Sequence, residues 1–386
     1  MRIAFYAPLK PASHPVPSGD RRMARLLIQA LEKAGHRIEV ASRLRTRESA
    51  GEPTRQSELA AIGEVHAARL LREYATRPAS ERPAAWFTYH VYYKAPDWIG
   101  PRVAKALGIP YLIAEASLAG KRAQGPYALG HQATLTAIRA ANVIFVVNPT
   151  DTEALQSVVG EQTRLVDLPA FVDTAPYRRM SEQHDQLRRE LAHRHKLETG
   201  HLWLLSVAMM RMGDKLASYR MLGKALEQAL DLNWQLIVVG DGTAREEVVH
   251  ALAPLGEGRV RFVGAQSESS LPAFYGAADL CVWPAVNEAY GMALLEAQAA
   301  GLPVVAGGAG GVASIVESGI TGLLTTPGDG TAFARALRNL IDTPKRRGAM
   351  ARAAVEKTRQ LHDIASAANI LDRALHQALL ATMPGA

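Results

Sequence analysis

The sequence predicts an α/β protein built from two doubly wound, Rossmann-like domains. Three observations carry this. Short apolar runs alternate with longer helical patterns from end to end, the signature of parallel sheets covered by helices. The chain has 386 residues, enough for two cores of roughly 150–200 residues each. A single polar stretch, 176–200, interrupts the alternation before it restarts.

In the first half, RIAFYAP (2–8) reads as a buried strand, followed by a Gly/Pro-bearing loop around Ser18-Gly19. A helix is expected from Arg21 to Lys33, with Leu26, Leu27, Ala30 and Leu31 as its apolar face and Gly35 as its terminator. RIEVAS (37–42) is the next strand, and the polar, Gly/Pro-bearing residues 45–58 form a loop or a mobile insertion. A helix at 59–75 leads to strand AAWFTYH (84–90), helix 97–106, strand IPYLIAE (109–115), helix 128–140 and strand VIFVVN (143–148). TRLVDLPAF (163–171) closes this half. The first domain is expected over 1–176 and a polar linker, helical in part, over 177–200. A second domain over 201–345 has strands at 202–209, 234–240, 260–264, 280–284 and 303–307, separated by helices. Helix or helices at 346–386 have no following strand and are expected to pack back towards the first domain. Two such sheets facing each other make an interdomain cleft, since open α/β sheets bind ligands at the carboxyl ends of their strands.

Composition narrows the classes of function. With 48% hydrophobic and 21% charged residues the chain is an ordered globular protein. One cysteine, Cys281, excludes an internal disulfide framework and a cysteine-based metal cluster. The formal charge is +7, and residues 1–60 supply +5 of it through eleven Lys/Arg against six Asp/Glu. Aromatics make up only 6% and do not interleave with the basic residues, so no nucleic-acid partner is expected. An anionic substrate, or an anionic bilayer touched by the N-terminal half, is the better use of the charge. The opening apolar stretch is too short for a signal peptide, and no run approaches the roughly 20 apolar residues of a membrane span. The expected location is the cytoplasm, with peripheral contact at the inner face of the membrane.

The chemistry concentrates in WPAVNEAYGMALLEAQAAGLPVV (283–305). A strand ends at Pro284 and delivers Glu288 in a loop. Gly291 opens a helix containing Glu296, and Gly301 ends it. The helix start around Tyr290 and Gly291 is expected to present amides that no helical carbonyl takes, a ready anion site. Two hydroxyl-accepting carboxylates thus lie near a diphosphate-shaped hole. The plainer alternative is an acidic neighbour of the helix start and a solvent-facing helical glutamate.

This stretch, from Ala278-Asp279 to Val304-Val305, resembles the donor-site signature of the retaining glycosyltransferases of family 4, which have the GT-B architecture. The likeness lies in Glu288 and Glu296 with Gly291 between them, then AAGLPVV (299–305), Gly310-Gly311, SGITGLL (318–324) and Pro327-Gly328. Upstream, VVGDG (238–242), VRFVG (260–264) and AFYGAADL (273–280) follow the family's order. Ser18-Gly19, LLIQALEKAGHRIEV (26–40), and Pro169 with Val172-Asp173 match more loosely.

The resemblance implies that Glu296 accepts hydrogen bonds from the nucleotide ribose and that Glu288 holds the transferred sugar near its anomeric carbon. Tyr290, Gly291 and Met292 would face the sugar or distal phosphate, Gly264 and Gly19 would belong to the same nucleotide-sugar site, and Lys215 would meet the diphosphate. The donor would be a UDP-, GDP- or ADP-sugar, with no resident cofactor and no metal, and the acceptor a hydroxyl compound, lipid-linked or otherwise anionic. The implied reaction is a retaining, front-face transfer in which the leaving phosphate helps deprotonate the acceptor, set in cell-envelope glycan or glycolipid synthesis.

The chain also departs from the family. Met209 and Met210 stand where an arginine normally precedes the lysine, leaving Arg211 either as its displaced replacement or as an unrelated residue. Ser314 stands where many members have glutamate, and Phe171 replaces a junction glycine. His90 ends a strand and is either a sugar or acceptor contact or a structural histidine, while Glu115 occupies the family's more usual histidine position. Gly19 is either a close-approach glycine or a plain turn glycine; Arg21 and Arg22 meet phosphate or simply form the wet side of their helix. A sugar phosphorylase or synthase shares the two-domain frame, but a phosphorylase would need a pyridoxal-binding lysine and usually a longer chain. Two further readings come from other classes. One is a non-catalytic sugar-nucleotide-binding protein. The other is an NAD-dependent oxidoreductase, although the first strand lacks the GxGxxG fingerprint.

Overall fold

The computed structural model describes residues 1–16, 18–288 and 290–382. It divides into two compact units: unit 1 comprises residues 1–169 with Ile364 onward, and unit 2 comprises Ala170–Asp363.

Unit 1 opens with β1 (Arg2–Tyr6), α1 (Gly19–Lys33), β2 (Arg37–Ser42), α2 (Pro53–Thr76), β3 (Ala85–Val91) and α3 (Gly100–Leu107). It continues with β4 (Tyr111–Ala116), α4 (Ala128–Ala140), β5 (Val143–Val146), α5 (Thr152–Gln156) and β6 (Arg164–Asp167). The six strands form one parallel sheet in the order β2-β1-β3-β4-β5-β6. Period-2 alternation sorts its large side chains. Phe5, Phe87 and Phe145 stack across three strands at 5.7 and 5.9 Å, while Tyr6, Trp86, Tyr111 and Ile113 share a separate buried cluster.

Three boundaries in this unit differ from the sequence expectation, each for a local reason. Helix α2 starts at Pro53, not 59: proline is pre-set for the first helical turn. The Glu48 carboxylate, moreover, accepts the amides of Ala50, Gly51 and Glu52 at 2.7, 2.6 and 3.1 Å. Helix α3 starts at Gly100 because buried Asp97 accepts from the amides of Ile99 and Gly100 and from the Thr88 and Tyr111 hydroxyls. Strand β6 stops at Asp167, its last partner on β5 being Val146; Pro169, two residues on, has no amide to donate.

Unit 2 begins with α6 (Ala175–Ser181) and α7 (His184–His195). The stretch 177–200, expected as a polar linker helical in part, is largely helical and also packed. Tyr177 meets Tyr275 edge-on at 5.7 Å, Leu187 and Leu191 are buried, and the Arg188 guanidinium bonds the Ala277 carbonyl and the Asp279 carboxylate. Its polar appearance comes from the faces left to water. There follow β7 (Leu202–Val207), α8 (Asp214–Glu227), β8 (Trp234–Val239), α9 (Arg245–Leu252), β9 (Val260–Gly264), α10 (Leu271–Ala277), β10 (Leu280–Trp283) and α11 (Met292–Ala299). The unit ends with β11 (Val304–Gly307), α12 (Val312–Ile315), β12 (Gly322–Thr325), α13 (Gly330–Asp342) and α14 (Pro344–Leu361). Its sheet is also all parallel, in the order β12-β11-β10-β7-β8-β9. Strand β12 was not expected; it is four residues long and starts at a glycine, so it carries no visible alternation.

The C-terminal region, expected as one block packing back, divides at His362–Asp363. Helix α14 packs on α11 inside unit 2, whereas α15 (Ile364–Thr382) packs on α1 inside unit 1. Buried Ala367, Ala368, Leu371, Ala374, Leu375 and Ala378 form its inner face, and His36 Nε2 meets the Asp372 carboxylate at 3.0 Å. Among the described residues no helix is long and apolar enough to cross a membrane.

Candidate active site

In unit 2 the strand order reverses between β7 and β10, the place where open α/β sheets bind ligands. The loop after β7 leads to Lys215 in the first turn of α8, and the loop after β10 carries Glu288. Strand adjacency thus joins residues 73 positions apart: Lys215 Nζ donates to Glu288 Oε2. Trp283 Nε1 donates to the same oxygen at 3.1 Å, and the ammonium lies 5.4 Å from the centre of the Trp283 ring. Trp283 is itself buried, edge-on to Tyr219 at 5.0 Å. Both charges keep contact with water, the side chains of Lys215 and Glu288 being 28% and 17% exposed. The result is a hydrogen-bonded ion pair whose cation can be handed to an incoming anion.

The Glu288 loop is strapped to α8. Val286 N donates to Ser218 Oγ at 3.0 Å, and Asn287 Nδ2 donates to Asp214 Oδ2 at 3.0 Å. Its backbone is strained: Ala285 and Asn287 hold φ of 55° and 51° without being glycine. Such conformations persist only where surroundings over-determine them, and they cluster at functional sites. Gly291 precedes α11 at φ 74°, with the Leu294 Cδ1 only 3.1 Å from where a Cβ would stand. The amides of Gly291 and Met292 lie at the helix start, where no helical carbonyl precedes them. Tyr290 beside them is half-buried.

Glu296 is not the solvent-facing glutamate of the plainer reading. It is 2% exposed within α11. Burial first, and the nearby Glu296 charge second, push the Tyr275 hydroxyl well above its ordinary value and the Cys281 thiol up to about 12. The structure therefore brings Lys215 and Glu288 into contact, and places Glu296 deeper, beside Tyr275.

VVGDG has a packing role. A Cβ on Gly240 would stand 1.9 Å from the Ala208 carbonyl oxygen, and one on Gly242 2.2 Å from that of Met210. Met210 N donates to Asp241 O and Ala244 N to Met210 O, both at 3.0 Å. These glycines let the β8 loop press on the segment leading to Lys215. Met210 is fully buried there, and Arg211 is exposed. Because β7 ends at Val207, residues 208–211 are loop, and the alternation of strand faces does not govern where Arg211 points. Gly264 ends β9 at φ 73°, its carbonyl accepting from Gly240 N at 2.9 Å, with open space where a Cβ would be. Ser314 Oγ donates to the Gly311 carbonyl at 2.6 Å, and Phe171 is buried.

Unit 1 has its own cluster at the ends of β1, β3 and β4, again beside a reversal of strand order. His90 and Glu115, near the ends of β3 and β4, both have left-handed φ, 61° and 63°. His90 Nδ1 lies 3.3 Å from Asp20 Oδ1 and 3.5 Å from Glu115 Oε1. Burial disfavours the imidazolium, but the carboxylates of Glu115, Asp20 and Asp151 outweigh it and hold His90 above its ordinary value. Burial likewise works against the Asp20 carboxylate, and His90 overcomes it and holds Asp20 below the usual range. Ser117 Oγ donates to Asp151 Oδ1 at 3.0 Å. Gly19, next to Asp20, opens α1 behind the Ser18 cap, with nothing within 4 Å of where a Cβ would point. Arg21 and Arg25 brace the preceding loop by donating to the carbonyls of His14, Pro15 and Ala12.

Sequence reasoning missed Trp283, Asp20 and Asp151. Signals existed for two of them: Trp283 stands five residues before Glu288 on the strand that delivers it, and Asp20 follows Gly19. Asp151 reaches His90 only through the placement of β5 beside β4.

The two parallel six-stranded sheets with their helices are the GT-B fold. Residues 204–343 match the family described as glycosyl transferases group 1. Among solved structures, sucrose-phosphate synthase from Thermosynechococcus elongatus is similar at TM-score 0.71 and 21% identity, over 98% of this chain and 99% of that one. A glycosyltransferase from Rickettsia africae is similar at TM-score 0.75 and 15% identity, over 100% and 99% of the two chains. Anabaena HepE in complex with UDP gives 0.71 and 17%, over 98% and 100%. These likenesses concern the fold. In sequence, a D-inositol 3-phosphate glycosyltransferase of Salinispora tropica is 37% identical over 152 residues, 38% of this chain and 32% of that protein. A namesake from Corynebacterium aurimucosum is 35% identical over 156 residues, 39% and 37% of the two chains. The chain thus spans about a third of the length of the curated relatives it matches.

Proposed function

We propose that this protein is a retaining glycosyltransferase that moves a sugar from a nucleoside-diphosphate sugar to an acceptor hydroxyl, in the synthesis of cell-envelope glycans or glycolipids. The observation that supports it most is the Lys215–Glu288–Trp283 arrangement beside the start of α11. Unit 2 binds the donor, with Lys215 and the amides of Gly291 and Met292 meeting the diphosphate and Glu296 the ribose. As the bond from the anomeric carbon to the phosphate oxygen breaks, negative charge grows on the diphosphate and positive character on the sugar. Lys215 leaves its ion pair for the phosphate, and the released Glu288 carboxylate holds the sugar's hydroxyls and stabilises its positive character. The acceptor oxygen attacks from the leaving-group side while its proton passes to a phosphate oxygen, so configuration is retained. Unit 1 receives the acceptor, with His90 as a cationic donor to one of its oxygens. The protein acts in the cytoplasm or at the inner face of the membrane.

HepE is described with UDP and with UDP-glucose, which favours UDP among the candidate nucleotides. The test is a screen of UDP-, GDP- and ADP-sugars for nucleotide release by the full chain, followed by mass spectrometry and anomeric NMR of the product. An axial donor sugar is expected to emerge with its configuration kept. Inversion would refute the mechanism, and binding without turnover on any acceptor would favour a non-catalytic sugar-nucleotide-binding protein.

A further inference from the structure

Beside the His90 cluster, joined to it through Tyr92, whose ring lies 5.1 Å from that of His90 and 5.5 Å from that of Tyr93, unit 1 carries two cations on one aromatic platform. Lys94 Nζ lies 5.8 Å from the centre of the Tyr93 ring and 5.4 Å from that of Tyr127. The Arg122 guanidinium lies 5.4 and 5.2 Å from the same two rings. The rings meet edge to face at 5.0 Å. Neither cation has a carboxylate within ion-pairing distance among the described residues, and buried Arg122 Nε has no hydrogen-bond partner among them.

The platform is held from several sides. The Tyr127 hydroxyl donates to the Ser49 carbonyl, and Gly51 lies so near that a Cβ there would stand 3.2 Å from the Tyr127 ring. Gln56 Nε2 donates to the Pro126 carbonyl at 2.7 Å, and Gly130 in α4 abuts the Tyr93 carbonyl, 2.1 Å from where its Cβ would be. Of the two acidic residues of the adjoining segment, Glu52 is exposed, while the Glu48 carboxylate is occupied by three backbone amides and the Glu48 amide donates to Lys94 O at 2.8 Å. Two like charges are thus gathered on fixed rings with no carboxylate in ion-pairing contact among the described residues. Ring faces attract cations but do not neutralise them. A guanidinium with an unfilled N–H beside an ammonium matches a tetrahedral dianion, which accepts a fork of two bonds from one and a point charge from the other.

We infer that Lys94 and Arg122 form a phosphate-binding site on unit 1, specific for a phosphate monoester. Resting on the glycosyltransferase reading, this makes the acceptor a phosphorylated hydroxyl compound. The phosphate comes either from a small soluble ester or from a lipid headgroup.

The test uses the full chain with UDP in excess, so that the diphosphate-binding residues of unit 2 are filled. Calorimetric titration with inorganic phosphate, glucose 6-phosphate and glucose covers the soluble source. Sedimentation with phosphatidic acid or phosphatidylcholine vesicles covers the lipid source. Expected is binding of the phosphorylated probes, or of phosphatidic acid vesicles alone, but not of glucose or phosphatidylcholine. Lys94→Gln and Arg122→Gln should each weaken that binding by about tenfold or more, with UDP affinity and melting temperature unchanged. Equal binding by wild type and both variants, or no phosphate-dependent binding of either kind, overturns the site. A chain that binds glucose 6-phosphate through these residues but never binds UDP or releases nucleotide keeps the site and sinks the glycosyltransferase reading instead.

Discussion

The ion pair between Lys215 and Glu288 gives a Glu288→Gln variant two effects of opposite sign. Glutamine keeps the size of the side chain and an oxygen for the Trp283 N–H, so the loop remains in place. It removes the charge that engages Lys215. For a pair 28% and 17% exposed, that engagement is worth about 0.5–1 kcal/mol. Freed of it, Lys215 should bind free UDP about two- to fivefold more tightly. Sugar transfer should meanwhile fall by about 100-fold or more, because the carboxylate no longer faces the positive character of the breaking bond. Calorimetry with UDP and single-turnover transfer, on the same preparation, read the two effects separately. Raising the salt concentration should shrink the gain in UDP affinity, as screening weakens the wild-type pair. A tenfold loss of UDP affinity in Glu288→Gln would show that the carboxylate holds Lys215 in place for the nucleotide, reversing the argument. Transfer at the normal rate would remove Glu288 from the chemistry.

Four further measurements bear on the remaining assignments. Glu296→Gln should weaken UDP binding by about 1–3 kcal/mol if the buried carboxylate takes the ribose hydroxyls; unchanged affinity would make it a purely internal partner of Tyr275. Trp283→Phe keeps the ring and loses the N–H to Glu288, so kcat should fall severalfold with UDP affinity nearly constant, whereas a loss confined to melting temperature would mark the indole as packing only. Gly19→Ala should melt like wild type, since nothing lies within 4 Å of the new methyl, and any loss of turnover then reports close approach by a ligand. By NMR, His90 should titrate above the ordinary histidine value, and Asp20→Asn should bring it down. Since the folded value is raised, the stabilisation from this group is complete below the unfolded value and is lost as pH rises through the folded one. A midpoint at or below about 6.5 contradicts the cluster.

The alternation of strand and helix was legible because both sheets are parallel and buried, so strands such as AWFTYHV and WQLIVV read as nearly unbroken apolar runs. Glu288, Glu296 and Gly291 were legible as a spacing. Their partners were not. Lys215 meets Glu288 only because β7 lies next to β10, and Asp20, Glu115 and Asp151 surround His90 only because of the order of strands in the first sheet; no local pattern encodes either. The start of α2 was hidden by the polar residues 53–58, which face water in a helix as readily as in a loop. The packing of 177–200 was hidden similarly, its few buried residues being spread among many charges.

Helix α15 is the last element of the described chain, yet it completes the unit that begins with residue 1. During translation this reverses the ordinary order of completion. Unit 2 is continuous over 170–363 and can close as soon as it emerges. Unit 1 waits for the helix that covers α1 until residue 382 has been made. At about 5–20 residues per second, that delay after residue 169 is roughly 10–40 s. During it, the part of α1 that α15 will cover remains uncovered, and His36 lacks Asp372. Nascent chains stalled or truncated before Ile364 should therefore be clients of chaperones and proteases through unit 1, the half that was synthesised first.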